Sequence, residues 1–191
     1  MNLQSRIDAA RELFASLGRH EGVIDCVARA MVGALRGGHK ILTCGNGGSA
    51  AEAMHLSTEL VGRYDTDRRS LPAFFLGGDA SLVTCVANDF GWDEVFTRAL
   101  RGHGRPGDIL VAFSTSGKSR NVMRALEVAR EMGIESLALL GKGGGPSRGL
   151  ATWEIVVDSV VTARIQEAHQ FILHVLCDEI DLALAPDFAR E

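Results

Sequence analysis

Apolar positions recur every three to four residues through the first 37 residues of the chain. Leu3, Ile7, Leu13, Phe14 and Leu17 are roughly helix-spaced. Ile24, Val27, Ala28, Met31, Val32 and Leu35 form a cleaner stripe at i, i+3, i+4 and i+7. Gly18 and Gly37–Gly38 punctuate the two segments, so the pattern predicts two amphipathic helices. The texture then changes. Short apolar runs at Lys40–Cys44, Pro72–Leu76, Asp108–Phe113, Ser136–Leu140 and Glu154–Val157 read as strands. Helical patterns at Ala50–Leu60, Ser119–Met132 and Thr162–Ala185 lie between or after them. Strand alternating with helix predicts an α/β protein: a three-layer α/β/α sandwich around a five-stranded parallel sheet. Gly141–Gly149 is glycine-rich but too short to link two domains, and no repeat interrupts the chain. Residues 1–191 therefore read as one domain, with the apolar faces of residues 1–37 packing on the sheet or on another subunit.

Composition changes this picture little. The chain is 46% hydrophobic and 23% charged, enough for a core of useful size, and its few aromatics leave that core mainly aliphatic. Its net charge of −4, with no basic block, argues against a nucleic-acid partner. No apolar run approaches the ~20 residues of a membrane helix, and the charged start MNLQSRIDAAREL lacks the apolar centre of a secretory signal. A cytoplasmic protein with no membrane partner is expected. Cys26, Cys44, Cys85 and Cys177 are widely spaced and contain no CxxC pair, so they read as reduced, mostly buried thiols.

In open α/β sheets ligands bind beyond the carboxyl ends of strands, which directs attention to the loops at 44–49, 77–81, 114–119 and 141–149. The segment Cys44-Gly-Asn-Gly-Gly-Ser-Ala50 follows a strand and opens a helix. Its glycines admit an anion close to the backbone, and Ser49 is placed to cap the helix. Gly45-x-Gly47-x-x-Ala50 also fits a relaxed dinucleotide fingerprint, but no acidic residue closes the second strand at the required distance. The loop Ser114-Thr-Ser-Gly-Lys-Ser119 has four hydroxyls and a glycine at a helix start. It imitates the end of a nucleotide P-loop, yet Ala112 stands where the first glycine of that motif belongs. Such a short loop suits a single phosphate better than a triphosphate; a plain serine-rich turn is the alternative.

His55 and Glu59 share a helix face at i, i+4, a spacing compatible with a metal site or with a simple surface contact. In the last helix Gln166, Gln170 and His174 step up one side within an otherwise apolar pattern, so they are either satisfied in the core or functional. His169 reads as structural or peripheral.

Taken together, Cys44-Gly-Asn-Gly-Gly-Ser-Ala-Ala-Glu-Ala-Met-His55, Leu56-Ser-Thr-Glu59, Asn88-Asp-Phe-Gly91, Ser114-Thr-Ser-Gly-Lys-Ser119 and Ile165-Gln-Glu-Ala-His169 with His174 resemble the sugar isomerase (SIS) family, and within it the phosphoheptose isomerases. The resemblance runs across roughly residues 20–180. It implies a flavodoxin-like SIS fold, a homotetramer, and isomerisation of D-sedoheptulose 7-phosphate to D-glycero-D-manno-heptose 7-phosphate. It places Asn46, Gly47, Gly48 and Ser49 at the substrate, with Asn88, Asp89, Glu59 and Gln166 near the sugar. It assigns the phosphate to Ser114, Thr115, Ser116 and Ser119. It gives zinc to His55, Glu59, Gln166 and His174, and the base and acid roles to Glu59 and His174. The chemistry agrees, because isomerisation through an enediol needs a base at carbon and an acid at oxygen. A zinc-bound Glu59 would be a weaker base, so the two roles of that residue are in tension. Gly77-Gly78-Asp79 departs from the family, where many members carry Thr or Ser before the aspartate, and the paired glycines suggest a mobile loop. Two other functions compete: a non-catalytic relative that binds the replication initiator, and an isomerase of another phosphosugar.

Overall fold

Five strands form within one residue of their expected bounds: β1 Ile41–Gly45, β2 Ala73–Phe75, β3 Ile109–Ser114, β4 Glu135–Leu140 and β5 Trp153–Val156. The structure, a computed structural model, describes residues 2–184. Ala185, the last residue of the expected final helix, and residues 1 and 186–191 of the expected domain lie outside the described residues. The strands make one all-parallel sheet in the order β2-β1-β3-β4-β5. Seven α-helices are described: α1 Leu3–Ser16, α2 Glu21–Arg36, α3 Gly48–Val61, α4 Ala80–Asp89, α5 Val95–His103, α6 Arg120–Glu131 and α7 Thr162–Leu184. The sequence pattern misses α4 and α5. The signal for α4 is mixed, because Val86 is its only buried residue.

Strand side chains alternate between two apolar layers, as the period of two requires. Ile41, Ile109, Val111, Phe113, Leu137 and Leu139 face a layer built with α2, α3 and α7. Leu42, Leu110, Ala112, Ala138 and Leu140 face the other, which contains residues of α4, α5 and α6. The cleaner N-terminal stripe is buried in the first layer. The weaker stripe is buried only in its second half: Leu13 and Leu17 join the first layer, Phe14 meets Phe171 edge-on with ring centroids 5.2 Å apart, and Leu3 and Ile7 are exposed. Gly18 does not separate the two helices widely, since a 3-10 turn at Leu17–His20 joins them. Cys44 and Cys177 are buried, but Cys26 and Cys85 are exposed, so the expectation for the thiols holds for only two of the four.

Several polar groups within these layers are matched. Thr43 lies on the α3 side of β1 and its hydroxyl bonds to Ala53 O and to Ser57 Oγ, both at 2.8 Å. Asp108, buried at the start of β3, accepts from Lys40 N at 3.0 Å, Lys40 Nζ at 2.7 Å and Arg105 N at 2.8 Å. The largest such cluster joins the strap after α3 to α7. Arg68 Nε donates to Asp181 Oδ1 at 2.6 Å, and its other nitrogens donate to the carbonyls of Glu59, Leu60 and Arg69. Asp181 Oδ2 accepts from the backbone of Asp65 and Thr66 and from the Thr66 hydroxyl.

Burial alone would raise the Asp181 carboxyl, but hydrogen bonds from Arg68 and from the Thr66 and Asp65 backbone hold it below its ordinary 3.8. A lowered folded-state value means that the contribution of Asp181 is complete above the unfolded value. It is lost as pH falls through the folded one. Asp181→Ala leaves Arg68 buried without its partner and is expected to lower stability by about 3–5 kcal/mol at neutral pH. In urea titrations the difference between the two proteins should shrink as pH is taken below 4; a difference independent of pH in that range would contradict the assignment.

Candidate functional site

The order β2-β1-β3 means that successive connections leave β1 in opposite directions, and a crevice opens beyond the ends of β1 and β3. The two candidate phosphate loops flank that crevice. After β1, Gly47 adopts φ +57 and caps α3. Ser49 lies inside the first turn and is buried, and its side chain makes no capping bond, contrary to the sequence expectation. A Cβ on Gly48 would stand 1.9 Å from Gln166 Nε2, so the glycine leaves room for the end of the Gln166 side chain, which reaches this loop from α7.

After β3, Ser114 Oγ accepts from Gly117 N at 3.2 Å and lies 3.4 Å from Ser119 Oγ, and Ser116 Oγ accepts from Lys118 N at 3.2 Å. Ser119 caps α6 by position without a side-chain capping bond. The turn is held by Ser147, whose N–H and hydroxyl both donate to Gly117 O. The two loops are tied by a reciprocal amide pair. Asn46 Nδ2 donates to Asn121 Oδ1 at 2.8 Å, and Asn121 Nδ2 donates to Asn46 Oδ1 at 3.0 Å. Asn121 is fully buried in the first turn of α6. Sequence reading missed it, because an asparagine two residues after a helix start carries no distinguishing local signal.

Across the first apolar layer α3 faces α7. His55 Nε2 and Glu59 Oε1 are 2.7 Å apart, and Gln170 Nε2 lies 2.6 Å from His55 Nδ1 and 3.1 Å from His174 Nε2. The His55 and His174 rings meet edge-on at 5.1 Å, and Tyr64 tilts over His174 at 5.8 Å. The structure thus joins His55, Glu59 and His174 into one group through Gln170, while Gln166 sits one turn earlier, against Gly48. His169 is fully buried and donates from Nε2 to Leu140 O. The buried Glu52 carboxylate faces its Nδ1 at 3.8 Å, with no closer hydrogen-bond partner among the described residues. The local field is negative: burial, then Glu59 and Asp181, push the Cys177 thiol up to about 12. Burial alone pushes Cys44 up to about 12.

Asn88 and Asp89 stand apart, exposed at the end of α4. Asn88 Nδ2 donates to Asp89 Oδ1 at 2.8 Å, and the other Asp89 oxygen faces the Cys85 thiol. At Gly78, the residue before the aspartate, a Cβ would lie 3.2 Å from Phe75 O, a tight contact, and Gly78 N donates to the same carbonyl; at Gly77 a Cβ would approach the Phe75 ring to 2.8 Å. The loop then continues into Asp79, which caps α4 by accepting from Ser81 N and Leu82 N.

The donor types facing one another between α3 and α7 are imidazole, carboxylate and carboxamide, and two imidazoles with a carboxylate suit zinc. Among the described residues no three His, Cys, Asp or Glu side chains already stand together as a ready metal site. A metal would have to take the place of hydrogen bonds that His55, Glu59, Gln170 and His174 make to one another.

Residues 7–141 match the family described as SIS domain. The phosphoheptose isomerase of Shewanella oneidensis is 47% identical over 188 residues, which span 97% of this chain and 92% of that protein. A phosphoheptose isomerase from Francisella tularensis has a solved structure that matches with a TM-score of 0.90 at 34% identity, covering 94% of this chain and 96% of that one. The solved phosphoheptose isomerase from Neisseria gonorrhoeae matches with a TM-score of 0.81 at 37% identity, covering 95% of this chain and 100% of that one.

Gly117 provides a test of the second loop. It has φ +60, and an added Cβ would lie 1.8 Å from Gly144 O. Gly143 has a similar φ of +76 but open space around it. Gly143→Ala is expected to cost about 1–2 kcal/mol from the backbone alone. Gly117→Ala should cost clearly more and remove binding of inorganic phosphate, read by urea unfolding and by calorimetry. Equal effects of the two substitutions would show that the turn is not held against Gly144.

Proposed function

The chain belongs to the phosphoheptose isomerase family of SIS-domain proteins, and we propose that it converts D-sedoheptulose 7-phosphate to D-glycero-D-manno-heptose 7-phosphate, an early step toward activated heptose. One observation supports the site assignment: neighbouring elements join the hydroxyl loop to the His–Glu group, through the Asn46–Asn121 hydrogen bonds and the close approach of Gln166 to Gly48. Ser119 opens α6, Asn121 on α6 grips Asn46, the Asn46 loop carries Gly48 beneath Gln166, and Gln170 and His174 follow at successive turns of α7.

In this reading Ser114, Thr115, Ser116 and Ser119 hold the phosphate at the start of α6, where hydroxyls and first-turn N–H groups favour an anion. Fixing the phosphate orients the distant reacting carbons, and that binding contributes to the rate as well as to affinity. Asn46, Gly47, Gly48, Ser49 and Gln166 line the path between. Glu59 removes the proton from carbon, and His174 exchanges a proton with the neighbouring oxygen. The base position is rigid at its backbone, because Arg68 donates to Glu59 O at 2.9 Å. His55, Glu59, Gln166 and His174 would hold a zinc ion, which when bound supplies Lewis acidity at the sugar carbonyl.

The reading treats residues 1–191 as one SIS domain that works as a cytoplasmic homotetramer. Exposed apolar side chains support association: Leu3 and Ile7 on α1, Met54 and Val61 on α3, Phe90 and Trp92 after α4, and Leu182 on α7. Asn88 and Asp89, exposed at the end of α4, would approach the sugar within that assembly. No helix among the described residues is long and apolar enough to cross a membrane. The product would feed nucleotide-activated heptose for lipopolysaccharide or another surface polysaccharide.

Purified protein incubated with sedoheptulose 7-phosphate is expected to form the aldose product by NMR, and Glu59→Gln should lower kcat at least about a hundredfold with the fold intact. Full activity in that variant would remove Glu59 from the chemistry. Loss of activity with a chelator and its return with zinc would establish the metal. Turnover of only a shorter sugar phosphate would reassign the substrate, and a folded oligomer inert toward every sugar phosphate would favour a binding protein.

A further inference from the structure

Only three of the chain's 20 basic residues are lysines, and their placement is uneven. Lys40 is bound to the buried Asp108, with Nζ 2.7 Å from the carboxylate. Lys118 and Lys142 lie on the two loops that meet beyond β3 and β4. Those loops touch backbone to backbone. An added Cβ on Gly117 would lie 1.8 Å from Gly144 O, one on Gly145 would lie 2.9 Å from Ser116 O, and Ser147 donates twice to Gly117 O. Both lysines are exposed, and neither side chain makes an ion pair or hydrogen bond among the described residues. The arginines around them differ. Arg120 meets Asp93 at 2.9 Å, Arg124 meets Glu127 at 2.7 Å, and Arg148 meets Glu154 at 3.2 Å. The hydroxyl loop is thus flanked by two cations that no carboxylate among the described residues balances.

The backbone of Lys142 adds a second observation. Its φ of +52 is the one positive value outside glycine among the described residues, and it stands within Gly141-Lys-Gly-Gly-Gly145. Its N–H is fixed by Ser159 O at 3.0 Å. A glycine would take that conformation without strain, so the fold bears a cost for a side chain that makes no polar contact of its own.

We propose that Lys118 and Lys142 form a cationic collar at the hydroxyl loop, which draws in the phosphate dianion of the substrate and balances its charge there. The collar rests on the phosphate site proposed above. Ser114, Thr115, Ser116 and Ser119 are neutral, so they supply geometry and hydrogen bonds but no net charge. A phosphate monoester carries close to two negative charges at neutral pH. The chain has a net charge of −4, which repels such a group at long range. Two ammonium groups on flexible four-carbon stems offset that repulsion as point charges. The reacting carbons lie at the other end of the sugar, so the collar acts on capture and retention of substrate and is read in KM rather than in kcat.

The first readout is binding of inorganic phosphate by calorimetry, which is independent of turnover, at about pH 8 and from about 50 to 500 mM salt. Wild-type affinity should fall as salt rises. Lys118→Gln and Lys142→Gly should each weaken phosphate about threefold at low salt, and the double variant about tenfold with a flatter salt dependence. Lys142→Arg keeps the charge and should retain most of the affinity. Arg130→Gln removes one charge at the far end of α6, roughly 15 Å from its start, and should leave the affinity unchanged. Lys142→Gly should be at least as stable as wild type in urea, since glycine relieves the strained φ. With sedoheptulose 7-phosphate the two lysine variants should raise KM by similar factors with kcat nearly unchanged.

Lysine variants that bind phosphate as tightly as Arg130→Gln overturn the collar, and so does wild-type binding that ignores salt. A fall in kcat at unchanged KM overturns it as well. Should one lysine variant fail to fold, the other decides from its own loop. The expected phosphate binding in a protein inert toward sugar phosphates would sink the isomerase reading alone. Turnover that responds neither to salt nor to either lysine would sink the collar alone.

Discussion

The position of α3 against α7 is the constraint on which the rest of the site depends, and one buried ion pair secures it. Arg68 and Asp181 are almost wholly out of water, with 4% and 3% of their surfaces exposed. Such a pair costs several kcal/mol per ion in lost hydration unless its remaining donors and acceptors are satisfied. Here they are. The guanidinium also closes the carbonyls of Glu59 and Leu60 at the end of α3, and the carboxylate gathers the backbone of the strap at 65–66. The arrangement converts an expensive pair into a geometric fixture: the last turn of α3, which bears Glu59, cannot move relative to α7 without exposing unpaired charge.

That fixture explains how an apolar layer tolerates a polar seam. The layer beneath α3 and α7 is aliphatic, built from strand residues such as Ile109, Val111 and Phe113 together with Leu56, Ile172 and Leu176. His55, Glu59, Gln170 and His174 lie at its partly exposed margin and satisfy one another across the gap. At the crevice the same principle appears in neutral form. Asn46 and Asn121 exchange two hydrogen bonds, so each loop holds the other without adding charge where a phosphate is to bind. Glycines complete the close approaches. Gly48 admits Gln166, and Gly117 admits the Gly144 carbonyl.

The functional consequence is a division between holding and reacting. The hydroxyl loop and the start of α6 are suited to an anion, while the α3–α7 group offers a carboxylate and imidazoles to exchange protons. Both are fastened to elements whose interiors are rigid apolar packing, which is where geometric precision in a site originates. The thiols take no part in this chemistry: Cys44 and Cys177 are pushed up to about 12 and remain protonated. Cys26 and Cys85 lie on the surface.

The sequence by itself determined the strands, the long helices and the two loops. Their signals are local: a period of two or 3.6, glycines at a strand end, hydroxyls at a helix start. It also put His55 with Glu59, because four residues of helix fix that distance. It did not reveal α4 and α5, whose apolar signal depends on what the rest of the chain covers. Only the tertiary structure brought Asn121 to Asn46 across 75 residues of sequence and Gln170 to His55 across 115. Gln166 and Gln170 occupy equivalent places on the α7 stripe, so periodicity treats them alike. Packing separates them: one glutamine meets a glycine with no side chain, and the next meets two imidazoles. Contacts of that kind arise where helices cross after the chain has closed long loops, and no local pattern encodes the register of that crossing.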